Sequence, residues 1–248
     1  VIIEDPAPAP DESSMTLVDH LSELRRRIAI SVFAIGVGAV IVFLVAEPLI
    51  KLLLTPLPDN EVVFLTVGGG FFVYLRVALV FGLLLALPVV LYQVWAFVAP
   101  GLLPEERRAA LPWIPMTVVF FLLGALVAWI TLPYAVDFLL GFQIEGSLTA
   151  LPSAEAYFSF VTIMFLLFGL VMQFPIVLIF LDRLGILNVD QLRGMRRYVL
   201  LGVVIFAVVV TPGGDPISPI VLSATMYVLY EFTIFLLVRR KRRSEIDA

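Results

Sequence analysis

Six long apolar runs divide this chain, and they constrain its fold more than any other feature of the sequence. A transmembrane helix needs about 20 largely apolar residues, with a usual range of roughly 17–25. Four of the runs reach that length, the fifth is short, and the sixth begins beside prolines. The runs cover residues 28–46, 70–95, 111–132, 156–181, 197–211 and 217–238.

Composition supports a membrane environment. Hydrophobic residues make up 61% of the 248 positions and charged residues only 15%, against about 25% charged in soluble domains. Too few polar side chains are available to cover a water-soluble surface, whereas lipid tolerates an apolar one. The sequence therefore predicts an all-α membrane protein with six transmembrane helices. The net charge of −4 gives no reason to expect nucleic acid binding.

The positions of the cations predict the orientation. Alternate connections between the runs hold fourteen of the sixteen Lys and Arg residues, and cation-rich connections face the cytoplasm. Both termini are therefore expected in the cytoplasm, which requires an even number of spans. Those cations are Arg25–Arg27, Arg107, Arg108, Arg183, Arg193, Arg196, Arg197 and the run RRKRR at 239–243.

Three regions are expected along the chain. Residues 1–14 are acidic and proline-rich, so they predict a disordered tail. Residues 15–238 form the transmembrane domain, and residues 239–248 a basic cytoplasmic tail. The fifth and sixth runs predict either a shallow hairpin or an ordinary helix pair, and residues 133–155 predict the longest outer loop.

Several kinds of chemistry are excluded or disfavoured. The chain has no cysteine, and His20 is its single histidine, so disulfides and multi-histidine metal sites are excluded. A membrane-embedded hydrolase would need a histidine, a cysteine or a GxSxG turn to supply its nucleophile and base. We therefore expect neither an enzyme nor a metal or cofactor site.

Two cytoplasmic segments combine acids with cations or aromatics. In MTLVDHLSELRRRI, Asp19 and Glu23 are four residues apart and share one helix face. In the segment from Leu87 to Pro115, aromatics and prolines precede Glu105 and Glu106. The alternatives are a positive-inside anchor for the first segment and favourable first-turn acids for the second.

Three polar residues fall inside the apolar runs. Arg76 can extend its side chain toward the membrane surface, whereas Gln173 lies between apolar neighbours and precedes Pro175. Glu231 lies about two helical turns before the basic tail, where it can form a structural pair. Polar groups at such depth usually face another helix or a wet cavity.

These segments resemble the TatC family, the receptor subunit of the twin-arginine protein translocase. The resemblance rests on HLSELRRR at 20–27, YQVWAFVAPGLLPEERR at 92–108 and FGLVMQFPIV at 168–177, together with Thr211-Pro212, Asp215 and Tyr230-Glu231. It covers residues 15 to 238. It implies six transmembrane helices in a cupped, glove-like bundle, with short fifth and sixth helices and both ends in the cytoplasm of a plasma-membrane protein.

The resemblance also implies a function and partners. Such a chain binds twin-arginine signal peptides of folded precursors, is not an enzyme, and works with the single-span subunits TatA and, where present, TatB. Transport is driven by the proton-motive force, and self-association is expected. A secondary transporter for a small solute is the alternative, but it would need broken helices and several polar groups at the midplane.

Site residues carry over position by position. The resemblance implies that Glu23 and Glu106 bind the signal peptide, with Arg25, Phe97 and Leu102 or Leu103 on the same surface. Gln173 stands where the family commonly has Glu, so a role that requires a charge there is in doubt. Glu231 is the second expected intramembrane contact.

The orientation is testable by cysteine accessibility, because the native chain has no thiol. We expect Gly146→Cys to react with a membrane-impermeant maleimide from outside, and Asp190→Cys only after the cytoplasmic face is opened. Labelling of Gly146→Cys from the cytoplasm alone would show that the orientation is inverted.

Overall fold

A computed structural model describes residues 17–57, 61–98, 113–142, 151–183 and 185–246. This part of the chain is helical, with a single isolated bridge between Val63 and Ser153. The helices are α1 Leu17–Leu44, α2 Ala46–Leu54, α3 Gly69–Val98, α4 Trp113–Leu140, α5 Ala154–Val171, α6 Phe174–Arg183, α7 Val189–Gly194, α8 Arg196–Val210 and α9 Ile217–Ile246.

Within the described ranges, five helical stretches are long and apolar enough to cross a membrane. They are Asp19–Leu44, Gly69–Phe97, Pro115–Leu140, Ala154–Arg183 and Ile217–Arg240. The fifth apolar run forms α8, whose 15 residues span roughly 22 Å at 1.5 Å per residue, less than the hydrocarbon core of about 30 Å. The expectation of a short fifth helix is confirmed, and a crossing by α8 stays a prediction.

The expectation of a short sixth helix is wrong, because α9 has 30 residues and continues through the basic segment. It follows a turn in which Gly213 and Gly214 have positive φ angles of 94° and 74°. The Asp215 carboxylate then accepts a hydrogen bond of 2.6 Å from the Ser218 backbone N–H. Proline in a first turn removes only an N–H that has no partner in the helix, so Pro219 does not delay the helix.

Two other sequence signals have different outcomes. The predicted outer loop at 133–155 is too long, since α4 continues through Pro133 to Leu140. A proline can remain inside a membrane helix where neighbouring groups satisfy the freed carbonyl. Pro175, by contrast, marks a real break, because α5 ends at Val171 and α6 begins at Phe174.

Two helix pairs approach so closely that only glycine fits between them. A Cβ atom on Gly38 of α1 would lie 2.4 Å from the Gly82 carbonyl oxygen of α3. A Cβ on Gly124 of α4 would lie 2.4 Å from the Phe168 carbonyl oxygen of α5. Close backbone contact at small residues is a main source of attraction between helices in lipid, so these crossings set the register of both pairs.

The cations at the described helix ends, among them Arg27 and Arg196, lie toward one end of the bundle. Polar contacts near this end join the beginning of α1 to the end of α3, the break between α5 and α6 to the beginning of α4, and the beginning of α8 to α9. At the opposite end, Val63 pairs with Ser153, and Arg76 donates to the Glu155 backbone carbonyl at 3.1 Å. We call the first of these the cation-rich end.

The α1–α3 crossing provides a matched test. Gly38→Val forces the two backbones apart, whereas a Cβ at Gly36, one half-turn away on the same helix, meets no atom within 4 Å. Overpacking typically costs about 1–3 kcal/mol, so thermal unfolding in detergent should occur at a lower temperature for Gly38→Val. Gly36→Val should match the parent chain. Equal midpoints for the two variants would contradict close packing at Gly38.

Candidate functional site

A cluster of polar side chains joins α1 and α3 at the cation-rich end. The Arg27 Nη2 atom donates to Glu23 Oε1 at 3.1 Å, and its Nη1 atom donates to Gln93 Oε1 at 2.9 Å. Glu23 and Arg27 are four residues apart on α1, which places them on one face. We call Glu23, Arg27 and Gln93 the α1–α3 polar cluster.

These groups are largely shielded from solvent. The side chains of Glu23 and Arg27 are 18% and 28% exposed, and Gln93 is buried at 7%. Glu23 Oε2 and Arg27 Nε have almost no solvent-accessible surface and no hydrogen-bond partner among the residues that the structure describes. An unpaired buried polar atom costs about 1–3 kcal/mol, so the cluster is under-satisfied and favours an additional donor at Glu23.

An aromatic stack extends the cluster. The His20 imidazole lies over the Phe97 ring, with centroids 4.4 Å apart and planes inclined by 20°. His20 precedes Glu23 by one turn of α1, and Phe97 follows Gln93 by one turn of α3. The two helices therefore present an apolar ring pair beside a partly buried carboxylate.

The structure brings together some of the predicted site residues. Glu23 and Phe97 lie at the same end on adjoining helices, as predicted, and Arg25 is exposed on α1. Leu102, Leu103 and Glu106 lie outside the described residues, so a meeting of Glu106 with Glu23 stays a prediction.

Sequence reasoning missed Gln93 and the roles of Arg27 and His20. A signal for Gln93 was present, since it is a polar residue inside an apolar run and lies one helical turn before Phe97. Arg27 was considered only as part of a positive-inside anchor, although its spacing of four residues from Glu23 indicates an ion pair.

Gln173 lies in the break between α5 and α6. Its Nε2 atom donates to the Thr117 backbone carbonyl of α4 at 3.0 Å, while its Oε1 atom is buried without a hydrogen-bond partner. The amide thus joins two helices of the same chain and leaves one acceptor open. A role in docking a partner helix stays a prediction.

Glu231 forms an ion pair within the chain. Its Oε2 atom lies 2.7 Å from Arg196 Nη2 at the beginning of α8, and Tyr227 donates to its Oε1 at 3.3 Å. The preceding residue, Tyr230, is fully buried and donates to the Leu192 carbonyl of α7. Glu231 is therefore a structural pair member, with Arg196 rather than the basic tail as its partner.

Metal chemistry has no site in the part of the chain that the structure describes. No group of three His, Cys, Asp or Glu residues there is arranged to hold an ion. The α1–α3 polar cluster and its neighbours provide a carboxylate, a guanidinium, an amide and two stacked rings at one end of the helical bundle.

Fold and composition together define a multi-pass helical membrane protein with a polar cluster at its cation-rich end. A family model described as Sec-independent protein translocase protein (TatC) matches residues 19–224. This chain belongs to the TatC family.

Individual relatives agree along most of the chain. It is 37% identical over 229 residues to the TatC protein of Carboxydothermus hydrogenoformans, covering 91% of this chain and 94% of that one. It is 38% identical over 224 residues to chloroplastic TATC of Pisum sativum, covering 89% and 63%. A solved structure of a twin arginine translocase receptor, TatC, in DDM matches with a TM-score of 0.76 and 33% identity, covering 88% and 99%.

Replacing Gln173 should separate stability from transport. Gln173→Leu removes a buried unpaired oxygen along with one hydrogen bond, so we expect unfolding free energy within about 1 kcal/mol of the parent. Protein export in cells that depend on this chain should nevertheless decrease, because the substitution removes the unpaired Oε1 acceptor that is predicted to contact a partner helix. Gln173→Glu keeps acceptors and should be tolerated. Native export rates with Gln173→Leu would show that this side chain only fills space.

Proposed function

We propose that this chain is the receptor and core subunit of a twin-arginine translocase. In this proposal it crosses the plasma membrane six times with α8 as the short fifth span, and both termini are cytoplasmic. The relatives' names and the solved receptor structures support the assignment. Its ligands are the twin-arginine signal peptides of folded precursor proteins.

One observation carries the proposal: a shielded carboxylate at the cation-rich end has one oxygen that receives no hydrogen bond from the described residues. Glu23 Oε2 is buried and unpaired beside the α1–α3 polar cluster. An arginine guanidinium is planar, weakly hydrated for a cation, and able to give two parallel hydrogen bonds to a carboxylate. Such a group satisfies Glu23 without a metal or cofactor.

A second carboxylate would account for the second arginine of the peptide. Glu106 lies in the segment between α3 and α4, and α3 ends at the aromatic stack. We propose that Glu106 approaches the same surface, with Leu103 and Phe97 supplying apolar contact. Arg25, exposed on α1, would lie at the edge of this surface and limit which peptides approach.

The orientation follows from the same surface. The positive-inside rule places the cation-rich end in the cytoplasm, where precursors are synthesised. The polar contacts that join α1 with α3 and α8 with α9 lie at this end, which supports a common side for both termini.

Partner subunits are proposed to dock on the membrane-facing surface. Gln173 is the best-supported contact, because its Oε1 atom is buried without a hydrogen-bond partner among the described residues. Glu231 is engaged by Arg196 and Tyr227, so a partner would meet this pair rather than a free acid. Single-span TatA and TatB helices and a second copy of the chain are the proposed partners, and the proton-motive force is the proposed energy source.

A secondary transporter is less well supported. Transport of a small solute needs several polar groups around a midplane cavity. In the described spans, Gln173 and Glu231 are bonded to other helices of the chain. The Glu23 carboxylate, with its unpaired oxygen, lies instead at the cation-rich end of the bundle, where a peptide can reach it.

Substitution of the two acids tests the proposal. Glu23→Ala and Glu106→Ala should each weaken binding of a twin-arginine peptide roughly tenfold or more, because a hydrogen bond to a charged group contributes about 1.5–3 kcal/mol. Lys at either position should be worse, and a twin-lysine peptide should bind the parent chain more weakly. Fluorescence anisotropy with the purified chain measures all of these.

Glu61→Ala serves as the control, since Glu61 is exposed and precedes α3 on the opposite side of the bundle. It should leave affinity unchanged. Unaltered affinity in both Glu23→Ala and Glu106→Ala would remove these residues from the binding site.

A further inference from the structure

The Glu23 carboxylate is already engaged by a cation of its own chain. Arg27 Nη2 holds Glu23 Oε1 at 3.1 Å, while Oε2 has no partner. A guanidinium can bind both oxygens of a carboxylate at once, yet Arg27 binds only one. The reason lies on α3, where Gln93 Oε1 accepts from the other terminal nitrogen of Arg27 at 2.9 Å.

We infer that Arg27 is a built-in competitor for the signal-peptide arginine, and that Gln93 is a positioning residue that acts through Arg27. This inference rests on the proposed function. Gln93 holds the Arg27 guanidinium so that it binds one oxygen of Glu23 and leaves the other without a hydrogen bond from the described residues. An incoming arginine displaces Arg27 from Oε1, and the movement of Arg27 uncovers Oε2, so that the peptide guanidinium can bind both oxygens.

Gln93 also lowers the free energy needed to displace Arg27 from Glu23. After leaving Glu23, Arg27 keeps its hydrogen bond to a buried amide, so its charge is not left without an acceptor. No proton moves and no covalent bond changes in this exchange. A guanidinium replaces a guanidinium, which restores equivalent hydrogen bonds at the carboxylate.

A peptide lysine gains less binding free energy at Glu23 than a peptide arginine does in the same exchange. Its ammonium is a compact, strongly hydrated charge that cannot form the parallel pair, so it recovers less than it displaces. Displacing Arg27 costs the two peptides the same free energy, so the competition weakens both, and the preference for arginine comes from the parallel pair that only a guanidinium forms. A purely structural ion pair would not oppose either peptide, so its loss would not tighten their binding.

The test uses the full-length purified chain in detergent, with fluorescent twin-arginine and twin-lysine peptides of otherwise identical sequence. The variants are Arg27→Gln, Gln93→Leu and the double substitution. Arg26→Gln is the matched control, because Arg26 is an exposed cation on the same turn and makes no contact with Glu23. Size-exclusion elution and thermal unfolding confirm that each variant is folded.

Arg27→Gln should tighten binding of the twin-arginine peptide about threefold, as expected for loss of a partly exposed competing ion pair. It should tighten the twin-lysine peptide by a similar factor, so that the ratio of the two affinities stays constant. Gln93→Leu should weaken twin-arginine binding about threefold in the parent and have no effect in the Arg27→Gln background. Arg26→Gln should leave both affinities unchanged.

Equal loss of both peptides with Arg27→Gln, or no change, would overturn the competitor role. A Gln93→Leu effect that persists without Arg27 would overturn the positioning role. If Gln93→Leu does not fold, the competitor role is still decided by comparing the peptide affinities of Arg27→Gln with those of Arg26→Gln. Absence of twin-arginine binding by the parent chain would instead reject the proposed function.

Discussion

Close backbone contact between helices at glycine is the constraint on which the rest of the structure depends. Lipid tails solvate apolar side chains as well as other helices do, so packing and polar contacts must hold the bundle together. At the α1–α3 crossing, Gly38 meets Gly82. Arg27 lies eleven residues before Gly38, and Gln93 lies eleven residues after Gly82. Eleven residues are about three turns, or roughly 16 Å, so antiparallel helices in contact at the glycines bring Arg27 and Gln93 together.

Polar side chains then fix the rotation of the helices, whose register the glycines set. Arg27 with Gln93, Gln173 with Thr117 and Arg196 with Glu231 each connect two helices. A polar group left unpaired in hydrocarbon is costly, so each contact disfavours rotation of either helix. All three lie toward the cation-rich end, while the crossings at Gly38 and Gly124 lie nearer the middle of their helices. The position of Glu23 is thus fixed both by the glycine crossings near the middle of the helices and by the polar contacts nearer their ends.

The sequence predicts some of these features and not others, for physical reasons. Hydropathy locates the helices, and the motifs HLSELRRR and YQVWAFVAPGLLPEERR single out Glu23 and Phe97 through the family resemblance, because both signals are local in the sequence. The length of α9 was predicted wrongly, since the effect of Pro219 depends on its place in the first turn, which Asp215 determines. Gln93 was missed because its partner Arg27 is 66 positions away. Contacts across helices require the register, and the glycines that set it carry no side chain to reveal their partners.

Placement of the site at the end of the bundle follows from the energetics of charge. A lone carboxylate deeper in the membrane would need a permanent counter-ion, because transfer of an unpaired charge into hydrocarbon is expensive. A counter-ion bound through both oxygens would leave nothing for a ligand. At the cation-rich end, partial access to water lets Arg27 neutralise Glu23 through a single hydrogen bond. The carboxylate is therefore stable without a ligand and incomplete until one arrives, a combination available only near the membrane surface. The proposed recognition of a peptide guanidinium and the tolerance of an empty site thus have the same physical origin.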